Sequence, residues 1–294
     1  MPGDVLAIIL SIKRSSANLT TDYTEHLQKQ TSNNEIPFMT PDLLSAIVLL
    51  EPAEQAACLE DVLLSLAVQE CGTLQIIVAC NKSQVDDVRT IAKHQHMPLS
   101  MQFEAIALPS EAKDNNANRL NAALNACRGQ FVTVLQTNDI VYGFAFEKLI
   151  AVLKKAAEPV AVAGTRNAYR QADGYMVTKS NQFRAGKRTF DIWFDEDCAR
   201  NFVINRSKLK GNLATEPVLD YFETYFLLLA LSLHNEFNFS LATESLFERR
   251  ALLPEKKLPD DIEKMKLRAR SKIIDWKSAQ LTELKMRPEQ GCPS

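Results

Sequence analysis

The chain has 294 residues, 46% of them hydrophobic and 24% charged, a globular mix that excludes a wholly disordered, collagen-like or membrane-embedded chain. With 34 Lys and Arg against 36 Asp and Glu the net charge is −2, so no global positive field draws it to nucleic acid. None of the nine glycines falls in G-x-G-x-x-G or G-x-x-x-x-G-K-S/T, which excludes dinucleotide and P-loop phosphate cradles.

The N-terminal run Val5 to Ile12 follows Asp4 and is too short to cross a bilayer, so a strand or short helix is expected there. Residues 13 to 42 are rich in Ser, Thr, Asn and Gln and end in Pro37 and Pro41, as a linker would. A regular domain is expected after it. Ser45 to Leu50 and Leu74 to Ala79 are almost wholly apolar, as in strands covered on both faces. Leu59, Val62, Leu63, Leu66 and Ala67 recur at helical spacing between them. A helix over Val85 to Ala92, a strand over Met101 to Leu108, a helix over Ala117 to Cys127, a strand over Phe131 to Leu135 and a helix over Phe144 to Ala157 follow. This alternation predicts an α/β fold, a doubly wound and mostly parallel sheet flanked by helices, with ligands beyond the carboxyl ends of the strands.

The alternation weakens after Pro159 to Gly164, leaving short strand candidates near Tyr175 and Phe190. A long apolar helix over Pro217 to Leu233 and a late strand over Phe237 to Ala242 are predicted next. From Pro259 to about Met286 an amphipathic helix carries Ile262, Met265, Ala269, Ile273 and Trp276 on one stripe, flanked by Lys264, Lys266, Arg268, Arg270 and Lys272. That stripe suits either packing on the domain, the favoured expectation, or peripheral contact with an anionic membrane. The six cysteines lack any C-x-x-C pair and read as reduced thiols, pointing to a cytoplasmic protein.

The tails of these strands carry a resemblance. Ser65-Leu66-Ala67-Val68-Gln69, Cys80-Asn81-Lys82-Ser83, Leu120-Asn121-Ala122-Ala123-Leu124, Gln136-Thr137-Asn138-Asp139, Glu223-Thr224-Tyr225 and the strand ending at Arg250 follow in the order of the motifs of family 2 glycosyltransferases of the GT-A fold. The resemblance covers roughly residues 45 to 250, giving an N-terminal segment 1–44, a GT-A-like domain 45–250 and a C-terminal helix and tail 251–294. It implies transfer of a sugar from a nucleotide-diphosphate donor to a glycan or lipid-linked acceptor, as in polysaccharide biosynthesis. Asp139 would hold Mg²⁺ or Mn²⁺, Glu51, Asn81 and Asn138 would seat the nucleotide, and Glu223 would be the catalytic base. Several family acids are replaced here, by Cys80, Asn81, Gln136 and Asn138, and Thr224 stands where the base is expected. A catalytically inactive GT-A-like scaffold or binding module is therefore the alternative.

Each site residue also has a structural reading. Asp139, between a strand and a helical run, suits a helix N-cap, and Glu223 suits a first-turn carboxylate that complements the helix dipole. Cys80 reads as a small buried apolar residue, and His94 and His96 as a solvated pair. Arg166, Arg170, Lys179, Arg184, Lys187 and Arg188 are cations that meet either a diphosphate or water.

Overall fold

The structure, a computed structural model, describes residues 39–50, 56–95, 98, 100–108, 115–170, 176–180, 188–193, 200–211, 213–215, 223–251, 270, 271 and 273. Glu51, the Val5 to Ile12 run, His96 and most of the C-terminal helix lie outside them.

Strand β1 (Thr40–Leu49) is followed by α1 (Ala56–Ala67), β2 (Leu74–Cys80), α2 (Val85–His94), β3 (Met101–Ala107), α3 (Asn116–Ala126) and β4 (Gly129–Gln136). These four strands pair in parallel in the order β3-β2-β1-β4. The apolar run in β1 is continuous because both faces are covered. Ile47 and Leu49 pack in one layer with α3, while Leu44, Ala46 and Val48 pack in the other with α1 and α2. The predicted helices and strands of this half all form, with ends displaced by a few residues.

The second half departs from the sequence expectation. Short β5 (Asp139–Val141) precedes α4 (Ala145–Lys155), then come β6 (Val160–Arg170), β7 (Met176–Ser180), β8 (Asn201–Asn205), α5 (Glu223–Ser232) and β9 (Phe237–Ala251). They extend the sheet as β4-β8-β6-β9-β5, with β7 beside β6. β8 is antiparallel to both β4 and β6, β9 is parallel to β6, and β5 is antiparallel to β9. The apolar starts of β6 and β8 gave little periodic signal because each is short and satisfied by partners distant in sequence. The strand candidate at Phe190 is instead a 3-10 helix over Thr189–Trp193. The late strand runs on to Ala251 because β6 and β5 pair with it on both sides. Ile273 is fully buried in the layer that holds α5, and the Arg270 guanidinium donates to the Tyr225 hydroxyl, so at these residues the C-terminal stripe packs on the domain. Among the described residues no helix is long and apolar enough to cross a membrane.

A buried polar knot ties the amino end of the parallel sheet. The Ser45 hydroxyl donates to Gln75 Oε1 at 2.6 Å and accepts the Gly129 N–H at 2.9 Å. Gln75 Oε1 also accepts the Arg128 N–H, and its amide nitrogen lies 3.2 Å from the Ala126 carbonyl at the end of α3. Gly129 is required by this close approach, since a Cβ there would lie 2.6 Å from the Leu43 carbonyl oxygen and 2.8 Å from Ser45 N. Gly129→Ala should therefore destabilise the fold by about 1–3 kcal/mol, the usual range for overpacking. Chemical denaturation measures this, and an unchanged midpoint would mean that the two strands part at no cost.

Candidate active site

The parallel ladders bring the carboxyl ends of β1, β2 and β4 to one edge, since β2 and β4 flank β1. Asn81 follows the last residue of β2, and Gln136 ends β4, with Thr137-Asn138 as a turn into Asp139. Arg200 precedes β8, which runs antiparallel to β4 and so starts at the same edge. β6 is antiparallel to β8 and β9 parallel to β6, so Arg249 near the end of β9 also reaches it. Glu223 opens α5, which leads within five residues into the start of β9 at the opposite edge, so Glu223 too lies on the carboxyl side. Of the sequence-predicted residues, Asn81, Asn138, Asp139 and Glu223 share this edge, and Glu51 lies outside the described residues.

The resemblance motifs outside the turn position it. The Ser65 hydroxyl accepts the Val141 N–H at 3.2 Å, and Gln69 Nε2 lies 3.2 and 3.0 Å from the Val141 and Tyr142 carbonyls, so the end of α1 grips β5. Asn121 exchanges two hydrogen bonds with the Thr215 backbone at 2.9 and 2.8 Å, and the Thr215 hydroxyl donates to the Glu223 carbonyl at 2.8 Å. Arg119, buried on α3, donates to the Leu50 carbonyl at the end of β1 at 3.0 Å. A Ser, a Gln, an Arg and an Asn thus hold β5, α5 and the β1 exit in fixed relation.

Asp139 is not the helix N-cap that its place in sequence suggests. It is the first residue of β5, paired with Arg249, and α4 begins only at Ala145 with Phe144 at its N-cap position. Its Oδ2 accepts the Gln136 N–H at 2.9 Å, which closes the turn, and the Asn138 carbonyl accepts the Arg250 N–H at 2.9 Å. Asp139 is 4% exposed, and both its Oδ1 and Asn138 Oδ1 are buried without a hydrogen-bond partner among the described residues. Burial raises the Asp139 pKa, opposed by the Gln136 N–H and by the positive charge of Arg200. Arg249 Nη2 donates to Gln136 Oε1 at 3.2 Å across the same turn.

Glu223 is 2% exposed, and the Thr224 hydroxyl is buried without a hydrogen-bond partner among the described residues. α5 packs in one layer with Val132 and Val134, whereas Val141 packs in the other. Glu223 and the β5 turn therefore approach the edge from opposite layers. Cys58, Cys71, Cys80 and Cys127 form no disulfide among the described residues. Burial pushes Cys71 up to about 11 and Cys127 up to about 12, so both are neutral at physiological pH. His94 ends α2 beside Lys93, where cations complement the helix dipole. Among the described residues, no three His, Cys, Asp or Glu cluster as a metal site. Arg249 was not singled out in the sequence; its only signal there was an arginine ending the closing strand, 113 residues from Gln136.

A sheet whose parallel half gathers its strand ends beside a mixed half and a closing strand is the GT-A glycosyltransferase fold. The family described as Glycosyltransferase like family 2 matches residues 47–252, and the chain belongs to that family. Among solved structures, residues 1–349 of S. aureus TarS in complex with UDP superpose with a TM-score of 0.50 at 15% identity, over 70% of this chain and 60% of that one. A longer S. aureus TarS chain gives a TM-score of 0.51 at 13% identity, over 76% of this chain and 38% of that one. At such identity the likeness is one of fold, and this chain spans less than two thirds of either TarS chain. A comparison with curated proteins finds no match.

The Asp139 geometry makes a prediction about stability. A carboxyl whose pKa is raised by folding contributes stability that is full below the ordinary value of 3.8 and is lost as pH rises through the folded value. In EDTA, Asp139→Asn should melt no lower than wild type at pH 8, because the amide oxygen still accepts the Gln136 N–H and no charge is buried. Any advantage should shrink as pH approaches 4. Asp139→Ala should lose about 1–3 kcal/mol at both pH values by stranding that N–H. A markedly lower melting point for Asp139→Asn at pH 8 would show that the charge is compensated.

Proposed function

We propose that this protein transfers a glycosyl group from a nucleotide-diphosphate sugar to a glycan or lipid-linked acceptor in polysaccharide biosynthesis, on the cytoplasmic side of the membrane. The observation that carries this reading is the convergence of Asn81, the Gln136–Asp139 turn, Arg249 and Glu223 on the carboxyl edge of the sheet, in a chain of family 2. The TarS fragment was solved with UDP, which supports testing a uridine donor first.

The turn suits a divalent cation only with the donor present. Two oxygens, Asn138 Oδ1 and Asp139 Oδ1, are buried and unpartnered among the described residues, and such hard donors suit Mg²⁺ or Mn²⁺. They bring at most one negative charge, so the donor phosphates would supply the remaining ligands. When bound, the metal would neutralise charge on the leaving diphosphate. Asp139 keeps its other oxygen on the Gln136 N–H, which orients the turn.

Glu223 is the base candidate, because Thr224 at the neighbouring position does not accept a proton near neutral pH. Held at the start of α5 by Thr215, its carboxylate would take the acceptor hydroxyl proton as the sugar is transferred. A thermal-shift panel of UDP-, GDP-, CMP- and dTDP-sugars, with and without Mn²⁺, tests donor binding, since a ligand specific to the native state raises the midpoint. One nucleotide class should raise it, more so with Mn²⁺, and Asp139→Asn should lose the metal increment. Glu223→Gln should keep donor binding while transfer falls about 100-fold or more. No shift with any donor would favour the inactive scaffold.

A further inference from the structure

We infer that Arg249 is a donor-binding residue that grips the diphosphate directly and independently of a metal ion. This rests on the proposed donor site and names the group that supplies positive charge there. Two observations point to it. Arg249 lies opposite Asp139 in the β5–β9 ladder, which fixes its backbone beside the turn. Its hydrogen bond to the neutral Gln136 Oε1 uses one of five N–H donors, and no carboxylate pairs with it among the described residues.

With Gln136 and Asn138 neutral, neither of these turn side chains neutralises Arg249, and its guanidinium offers an anion a contact that needs no bridging cation. A planar guanidinium donates two parallel bonds to phosphate oxygens, a geometry that lysine does not offer. Gln136 orients the fork from below without neutralising it. Arg250 is different, since it is committed to Asp61 and to Glu248.

The test is calorimetric titration of the full chain with UDP, GDP, CDP and dTDP, in EDTA and again with Mn²⁺. Wild type should bind one of them in EDTA. Arg249→Gln should weaken that metal-free binding at least tenfold, and Gln136→Glu should do the same by locking Arg249 in an ion pair while keeping the hydrogen bond. Binding in EDTA should also fall with added salt more steeply for wild type than for Arg249→Gln. Thermal melting of each variant reports folding, and if one fails to fold the other decides. Binding by wild type only with Mn²⁺ would overturn the role of Arg249 while leaving the proposed function standing. So would metal-free binding within twofold of wild type in a folded variant. If no nucleotide binds in either condition, the proposed function fails and this assignment fails with it.

Discussion

β1 is hydrogen-bonded along its length to β2 on one side and β4 on the other, both parallel to it. Parallel pairing in register means that three chain segments must leave the sheet at one edge, whatever their sequences. The Ser45–Gln75–Gly129 knot fixes that register at the opposite end, where Gly129 lets backbone approach side chain closely. Everything at the candidate site inherits its position from this constraint. The Asn81 and Asn138 segments leave the same edge with only β1 between their strands, although 56 residues of chain lie between them.

The mixed half of the sheet adds the second element of the site. β9 runs back to the same edge and clamps β5 through a short antiparallel ladder, while Ser65 and Gln69 hold β5 from the helix side. The result is a turn whose Gln136 N–H and Asn138 carbonyl are hydrogen-bonded, while Asn138 Oδ1 and Asp139 Oδ1 have no partner among the described residues. A buried carboxyl with an unfilled oxygen costs stability, and such cost is commonly retained where a ligand supplies the missing partner.

The first half of this architecture was legible in sequence because its signals are local. Strands buried on both faces are short continuous apolar runs, and SAIVLL, LQIIVA and FVTVL stand out from the amphipathic stretches between them. β6, β8 and the extension of β9 were not legible, since their polar residues become strand through partners as far as 110 residues away. Asp139 shows the limit at the site: a carboxylate between a strand and a helix reads as a cap, and only the Arg249 ladder makes it strand. The Ser65 and Gln69 positions were recognised as motif residues, but their task, holding the β5 backbone, is visible only in three dimensions.

The central claim is that donor chemistry sits on the carboxyl edge, formed by Asn81, the Gln136–Asp139 turn and the end of β9. Among the described residues the amino edge carries a cleft of about 320 Å³ lined by Thr40, Asp42, Cys71, Thr73, Gln102 and Arg128. Amide hydrogen exchange of the full chain with and without a saturating nucleotide diphosphate separates the two. The account predicts slowed exchange in 80–84, 136–140 and 247–251, with no change in 40–43, 71–73 and 102; slowing confined to the amino-edge segments would contradict it.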